Sequence, residues 1–188
     1  MAGKLIIFSA PSGSGKTTLV HHLLRQIPEL QFSISATSRE KRAYETDGKD
    51  YHFLSPDEFR SRVASGDFVE WEEVYPGTFY GTLKSEIDKI LDSGKSVIFD
   101  LDVQGGLNLK KRYGPKALAI FVKVESVAIL RQRLTARNTE SPEKLATRLS
   151  KAEFEMQFAE QFDRVIINQE LDTAKREAVA VVREFLGL

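Results

Sequence analysis

The feature that most constrains this chain is a glycine-rich loop between an apolar run and a helical pattern near the N-terminus. Residues Leu5 to Ser9 are almost entirely apolar, which is typical of a strand buried on both faces. From Lys16 to Ile27 the apolar residues recur at helical spacing. The segment between them reads Ala10-Pro11-Ser12-Gly13-Ser14-Gly15-Lys16-Thr17. The opening of the chain therefore predicts a strand, a glycine loop and a helix in direct succession.

This loop matches the P-loop pattern for phosphate binding, with Ala10 where the first glycine usually stands. Its glycines allow backbone N–H groups to face inward, and the following helix N-terminus adds positive potential, so the loop can hold phosphate oxygens. Lys16 would reach the β- and γ-phosphates of ATP, and Thr17 would be a ligand of the Mg²⁺ that accompanies ATP. A flexible turn could contain the same residues, but the flanking strand and helix are the context that the motif requires. The residues expected to bind ATP here are Ala10, Pro11, Ser12, Gly13, Ser14, Gly15, Lys16, Thr17 and Thr18.

Strand and helix patterns alternate along most of the chain. After the opening unit, helices are predicted at 84–91, 104–113, from 126 and at 174–185, with buried strands at 96–101, 117–124 and 164–167. Such alternation favours a parallel sheet covered by helices on both faces.

Two segments depart from this alternation. Short alternating pieces such as Phe32 to Ser35 surround a polar loop, and Ser55 and Pro56 begin a helix as cap and first-turn residue. Farther on, a highly charged helical stretch follows residue 131. We therefore expect an α/β fold of the P-loop NTPase class, with a parallel β-sheet core flanked by helices, a small α+β insertion and a helical lid. The expected boundaries are 1–32, 83–130 and 149–188 for the core, 33–82 for the insertion and 131–148 for the lid.

Composition limits the possible partners. Lys and Arg together number 27, as do Asp and Glu, so no overall basic field attracts nucleic acid. The chain has no cysteine, which removes disulfides, cysteine zinc sites and a thiol nucleophile. Its apolar runs are too short for a signal peptide or a membrane span. We expect a cytoplasmic enzyme without nucleic-acid or membrane partners; monomer and homodimer both stay open.

Charged residues outside the P-loop have two interpretations. Asp100 and Asp102 end the predicted strand at 96–101, where a second Mg²⁺ carboxylate is expected, although acids at strand ends are also common caps. Transfer of a phosphoryl group to a phosphorylated acceptor needs extra cations, whereas charge runs in helices are usually solvated. The candidate cations are Arg39, Arg42, Arg131, Arg133, Arg137 and Arg148.

Longer segments resemble the guanylate kinase family in both order and spacing, over essentially the whole chain. The segments from Ser35 to Arg42 and from Glu45 to Phe53 look like the family's GMP-binding signature. Four shorter pieces fit the same family: Phe68-Val69-Glu70-Trp71, Tyr80-Gly81-Thr82, Asp100-Leu101-Asp102-Val103-Gln104-Gly105 and Arg137-Asn138-Thr139-Glu140.

The resemblance implies an ATP:GMP phosphotransferase that uses Mg²⁺ with ATP. It implies that the GMP phosphate is held by Arg39, Arg42, Tyr51 and Tyr80. It implies that guanine is read by Ser35, Glu70, Thr82 and Asp102, with Gly81 and Asp100 in the same site. Arg133, Arg137 and Arg148 would belong to a lid over ATP, with Asn168 near the adenine. The residues implied in catalysis are Lys16, Arg39, Arg137 and Arg148, and those implied in Mg²⁺ binding are Thr17 and Asp100.

The chemistry of guanine agrees with this reading. Its N1–H and N2–H₂ donors can both be accepted by a carboxylate such as Glu70, and a hydroxyl such as that of Thr82 or Ser35 can donate to O6. Adenine would place a lone pair against the carboxylate, and a site of this kind can discriminate by roughly 10⁴-fold.

Three other functions remain as alternatives. A GTPase would usually carry Asn-Lys-x-Asp, whereas this chain has Asn168-Gln169-Glu170-Leu171. A non-catalytic guanylate-kinase-like binding module would tend to have a degraded phosphate loop, whereas Gly15-Lys16-Thr17 is intact. A kinase for another monophosphate, such as AMP or dTMP, is disfavoured by Glu70.

Overall fold

The computed structural model describes residues 3–136 and 142–188. The strands there are β1 (Leu5–Ser9), β2 (Leu30–Phe32), β3 (Ala36–Thr37), β4 (His52–Phe53), β5 (Phe68–Tyr75), β6 (Thr78–Leu83), β7 (Ser96–Leu101), β8 (Ala117–Lys123) and β9 (Arg164–Ile167). The α-helices there are α1 (Lys16–Gln26), α2 (Pro56–Ala64), α3 (Lys84–Asp92), α4 (Val103–Tyr113), α5 (Val127–Ala136), α6 (Pro142–Met156) and α7 (Leu171–Leu186). Short 3₁₀ turns occupy Gly114–Lys116 and Ala159–Gln161.

Within the described ranges, a five-stranded parallel sheet has the order β2-β7-β1-β8-β9. Every residue of the central strand β1 is buried, because Ile6 and Phe8 pack toward one face and Leu5 and Ile7 toward the other. Helices α1 and α7 contribute to the first packing cluster, and α3 and α4 to the second. This double burial explains the apolar run of β1 and confirms the expected α/β fold class.

The carboxyl ends of the parallel strands form one edge of this sheet, and the site is built there. Phe8 of β1 lies opposite Asp100 of β7, so the loop after β1 and the acidic end of β7 come together. Ligands bind at this edge in open α/β sheets, where the strand order changes direction. None of the helices in the described ranges is long and apolar enough to cross a membrane.

A second, four-stranded sheet lies in the segment between β2 and α3, with the order β4-β3-β6-β5. Helix α2 packs on it through Phe59, whose ring stacks on Phe68 at 4.4 Å and on Phe79 at 5.5 Å between centroids. The predicted start of α2 is confirmed, since Ser55 Oγ accepts a hydrogen bond from the Glu58 N–H at 3.1 Å.

The alternating piece from Phe32 to Ser35 crosses the expected boundary between core and insertion. Its first residue is on the core side of that boundary and ends β2 of the main sheet. Phe32 pairs with Ile98, and the Ser33 N–H continues the ladder to the Ile98 carbonyl at 3.0 Å. An edge strand with one covered face gives the same alternation as a small antiparallel sheet, so the pattern could not separate them.

The packing of the main sheet generates a stability prediction. Phe99 of β7 is 1% exposed, so Phe99→Ala should reduce the free energy of unfolding by about 3–5 kcal/mol in urea denaturation. Phe154→Ala is the matched control, because that ring is 59% exposed and its removal should cost less than about 1 kcal/mol. Equal losses in the two variants would contradict the assignment of the core.

Candidate active site

The loop between β1 and α1 has the backbone shape of a phosphate cradle. Gly13 and Gly15 both have φ of +91°, a conformation that other residues adopt only with strain. A Cβ on Gly15 would also lie 2.3 Å from Asn168 Nδ2. Gly15 is the N-cap of α1 and has no side chain to occupy the first N–H groups of the helix. Those groups are therefore suited to binding an anion.

Lys16 and Thr17, which follow the loop, both contact Asp100 on β7. Lys16 Nζ lies 2.6 Å from Asp100 Oδ1 and also donates to the Leu101 carbonyl. Thr17 Oγ1 donates to Asp100 Oδ2 at 2.7 Å. The structure therefore brings the predicted loop residues and the predicted carboxylate to one point at the sheet edge.

The oxygens of Thr17 and Asp100 fit a magnesium ion. Hydroxyl and carboxylate oxygens are ligands that Mg²⁺ prefers, and the ion usually keeps several waters and binds one or two protein groups together with substrate phosphates. In the described residues, no group of three or more His, Cys, Asp or Glu could enclose a metal. This donor set suits an ion that arrives with a nucleotide.

A cavity of about 360 Å³ lies over the loop. Arg148 of α6 lines it and donates to Ser12 Oγ at 3.0 Å. Lys151 and Glu155 line it too, and the sequence analysis did not select them. Their spacing after Arg148 was the available signal, because residues three and four apart share a helix face. All nine predicted ATP-binding loop residues contribute to its wall: Ala10, Pro11, Ser12, Gly13, Ser14, Gly15, Lys16, Thr17 and Thr18.

A second cavity of about 300 Å³ adjoins the first, on the side of the four-stranded sheet. The predicted substrate-binding residues that line it are Ser35, Tyr51, Glu70, Tyr80, Gly81, Asp100 and Asp102. Residues that the sequence analysis did not select also line it, namely Glu72, Val74, Tyr75, Leu101 and Gly105. The two cavities share Lys16, Tyr75, Asp100 and Asp102, so they meet at these residues. We refer to the region bounded by these four residues as the passage.

Glu70 is held in the second cavity by the register of β5 and β6. It pairs with Thr82, whose hydroxyl donates to Glu70 Oε1 at 2.6 Å. Gly105 leaves room for the carboxylate, because a Cβ there would lie 2.9 Å from Glu70 Oε2. Burial raises the pKa of Glu70 to about 7, and the hydrogen bond from Thr82 opposes this rise.

Glu72 and Asp102 are neighbouring carboxyl groups in the same cavity. Asp102 is the N-cap of α4 and accepts a hydrogen bond from the Gly105 N–H at 2.7 Å. Burial raises the pKa of Glu72 to about 7, and the neighbouring Asp102 adds to the rise. Alternation along β5 was the missed signal, because residues 70, 72 and 74 share one face of a strand.

Neither Arg39 nor Arg42 lines this cavity, but Arg39 contacts two tyrosines that do. The Arg39 guanidinium lies 4.9 Å from the ring centroid of Tyr51, and its Nε donates to the Tyr80 hydroxyl at 3.1 Å. Its other nitrogens pair with Glu45, an interaction that lowers the pKa of the Glu45 carboxyl to about 2 and raises the pKa of Arg39. Arg42 is exposed and lines neither cavity.

On the lid side, Asn168 lies behind the phosphate loop. Its side chain is 3% exposed and donates from Nδ2 to the Ser14 carbonyl at 2.7 Å. The Asn168 carbonyl accepts a hydrogen bond from Arg133 of α5 at 2.9 Å. Arg137, a predicted lid and catalytic residue, lies outside the described residues.

Comparisons with known proteins agree on one family. Residues 2–185 match the family described as guanylate kinase. A protein of Bacteroides thetaiotaomicron named guanylate kinase is 56% identical over 100% of this chain and 92% of its own length. One of Salinibacter ruber with the same name is 48% identical over 97% of both chains. The crystal structure of guanylate kinase from Anaplasma phagocytophilum superposes with a TM-score of 0.78 at 27% identity, covering 97% of this chain and 86% of that one.

The buried carboxylate of Glu70 generates a pH prediction. Its pKa is about 7 in the folded protein against 4.5 ordinarily, so between these values the folded state keeps a proton that the unfolded chain has lost. The Glu70 contribution is therefore full below about pH 4.5 and is lost as the pH rises through 7. Relative to Glu70→Gln, the wild type should lose up to about 3 kcal/mol of unfolding free energy between pH 4.5 and 8.

Urea denaturation at several pH values measures this difference. Glu73→Gln serves as control, because Glu73 is an exposed carboxylate on the same strand and its replacement should keep the wild-type pH dependence. Parallel pH curves for the wild type and Glu70→Gln would contradict the prediction.

Proposed function

The chain belongs to the guanylate kinase family, and from this premise we propose that ATP binds in the cavity over the phosphate loop and GMP in the adjoining cavity. The chain is an ATP:GMP phosphotransferase, a nucleoside monophosphate kinase. The observation that carries the site assignment is that the two cavities meet at Lys16, Asp100 and Asp102. A phosphoryl group can cross from one nucleotide to the other only where their sites meet.

On the donor side, the loop N–H groups and Lys16 bind the triphosphate, and Thr18 lies beside them. Lys16 and Thr17 both contact Asp100. We propose that, when ATP binds with Mg²⁺, Lys16 contacts the phosphates instead. Thr17 and Asp100 would hold Mg²⁺, which supplies neutralisation of phosphate charge when bound. We propose that Asn168 lies near the adenine of the same nucleotide. We also propose that Arg133, which donates to the Asn168 carbonyl, belongs to the lid over ATP.

On the acceptor side, Glu70 accepts the N1–H and N2–H₂ donors of guanine. Ser35 supplies a hydroxyl for O6, and Asp102 accepts a further donor. Thr82 contributes to the base site through Glu70, because its single hydroxyl proton is donated to Glu70 Oε1 at 2.6 Å and fixes the orientation of that carboxylate. Adenine offers a lone pair in place of N1–H, so its binding would leave the buried carboxylate without a donor.

We propose that the phosphate of GMP binds beside two tyrosines of the second cavity. Tyr51 and Tyr80 line this cavity. Arg39 lies over the ring of Tyr51 and donates a hydrogen bond to the hydroxyl of Tyr80. The planar guanidinium of Arg39 suits phosphate oxygens. Arg42 is in the same loop as Arg39 and is exposed. We propose that Arg42 contacts the GMP phosphate when the insertion closes.

The transfer is direct and in line. An ionised oxygen of the GMP phosphate forms a bond to the γ-phosphorus, while the bond from that phosphorus to the β–γ bridging oxygen breaks; the products are ADP and GDP. No covalent enzyme intermediate is needed. Lys16, Arg39, Arg137 and Arg148 are proposed to stabilise the negative charge that spreads in the transition state.

We propose that closure accompanies transfer. The core (1–32, 83–130 and 149–188) would hold ATP, the insertion (33–82) would bring GMP, and the lid (131–148) would cover the phosphates and exclude water. The lack of cysteine agrees with a reducing compartment, and we propose the cytoplasm.

Acceptor choice tests the function. With ATP and Mg²⁺, ADP formation should depend on GMP and be at least about 10³-fold lower in kcat/KM with AMP, CMP or UMP, because these bases do not match Glu70. Glu70→Gln should raise the KM for GMP and leave that for ATP nearly unchanged. Comparable rates with AMP would overturn the guanine assignment, and ATP binding without GDP formation would favour the binding-module alternative.

The donor site has its own test. Lys16→Ala should reduce kcat by roughly 10²-fold or more, since the phosphates lose their preorganised cation. Lys95→Ala, at an exposed lysine beyond both cavities, should keep wild-type turnover. Circular dichroism checks that both variants are folded. Full turnover of folded Lys16→Ala would show that the loop is not the donor site.

A further inference from the structure

Tyr75 has a position that the proposed function leaves unexplained. It is the last residue of β5, and it borders the passage together with Lys16, Asp100 and Asp102. The other three come from the carboxyl edge of the main sheet, whereas Tyr75 comes from the four-stranded sheet. Its side chain is 54% exposed although it is a large aromatic ring. The insertion therefore presents one open ring to the place where the two nucleotide sites meet.

An irregularity in β5 turns this ring toward the passage. Glu73 pairs with Phe79 and Tyr75 pairs with Thr78, so β5 has one more residue than β6 over this stretch. Successive strand residues normally face opposite sides, yet Val74 and Tyr75 both line the second cavity. A β-bulge re-aims a side chain in this way and is common beside active sites.

The other side of the same strand illustrates what the bulge changes. Trp71 lies on the face away from the cavities, where its ring packs edge-on against Phe79 at 6.1 Å. Regular alternation would place residue 75 on the face of residue 71. The extra residue instead places the aromatic side chain of Tyr75 at the passage, outside the cluster in which Phe59 packs against Phe68 and Phe79.

We propose that Tyr75 is a further substrate-contacting residue of the transfer reaction: its ring covers the passage from the insertion side and keeps water from the γ-phosphate while GMP is bound. This inference rests on the proposed function, because the passage matters only if a phosphoryl group crosses it. The remaining walls of the passage are charged side chains, which attract water. The aromatic ring of Tyr75 is the apolar group in the passage that can displace this water.

Two reactions compete at the γ-phosphorus, and Tyr75 acts on the choice between them. In the first, an oxygen of the GMP phosphate bonds to the γ-phosphorus and ADP leaves, giving GDP. In the second, a water oxygen bonds to the same phosphorus, ADP leaves and a proton is released, giving inorganic phosphate. Both break the same bond to the β–γ bridging oxygen, so the ratio of phosphate to GDP reports directly how well water is excluded.

The experiment measures GDP and inorganic phosphate in the same reactions, with saturating ATP, Mg²⁺ and GMP. Tyr75→Ala should raise the ratio of phosphate to GDP several-fold and lower kcat for GDP formation by roughly tenfold, because the acceptor is less well positioned. Tyr75→Phe keeps the ring and should restore the wild-type ratio. Trp71→Ala removes an aromatic ring from the other face of the strand, and its product ratio should stay that of the wild type.

The outcomes separate the inference from the function on which it rests. A wild-type protein that forms no GDP from ATP and GMP would overturn the proposed function itself. A wild-type protein that forms GDP, with an unchanged product ratio in Tyr75→Ala, would overturn only the role of Tyr75. An equal rise of the ratio in Tyr75→Phe would also contradict the inference, because the ring is intact there. Thermal unfolding followed by circular dichroism establishes that each variant is folded under the assay conditions.

Discussion

The arrangement of the site depends on the contact that Asp100 makes with Lys16 and Thr17 at the carboxyl edge of the main sheet. These residues are more than eighty positions apart in the chain, and the parallel pairing of β1 with β7 brings them together. The carboxylate of Asp100 neutralises the charge of Lys16. The ion pair is partly buried, where charges interact more strongly than in water, and it fixes the two residues at the proposed donor site.

The proposed acceptor site has a cost in stability. Burial raises the pKa values of Glu70 and Glu72 to about 7, which means that burial disfavours their ionised forms. Donors on a guanine edge would favour the ionised form of Glu70 and offset this cost. A base without those donors would not, so the unfavourable burial of the carboxylate would contribute to selectivity.

The phosphate loop is also supported from behind and from the lid side. Asn168 donates to the Ser14 carbonyl, Arg133 donates to the Asn168 carbonyl, and Arg148 donates to Ser12. These contacts connect α5, α6 and the segment after β9 to the loop. A movement of α5 or α6 would therefore change contacts with the loop between β1 and α1, while Tyr75 of the four-stranded sheet lines both cavities.

The sequence by itself determined the alternating α/β architecture and the phosphate loop, because these depend on local periodicity and on a short motif of fixed spacing. Most of the residues that line the second cavity were indicated by the resemblance to the guanylate kinase family. The alternation from Phe32 to Ser35 could not separate an edge strand of the main sheet from a strand of the insertion, since both give the same pattern. Sequence reasoning also missed Glu72, Tyr75 and Lys151, whose importance comes from elements that meet only in three dimensions. Strand register, the bulge in β5 and the approach of α6 were decided by tertiary packing, because side chains distant in the chain contact one another only after the sheets and helices have come together.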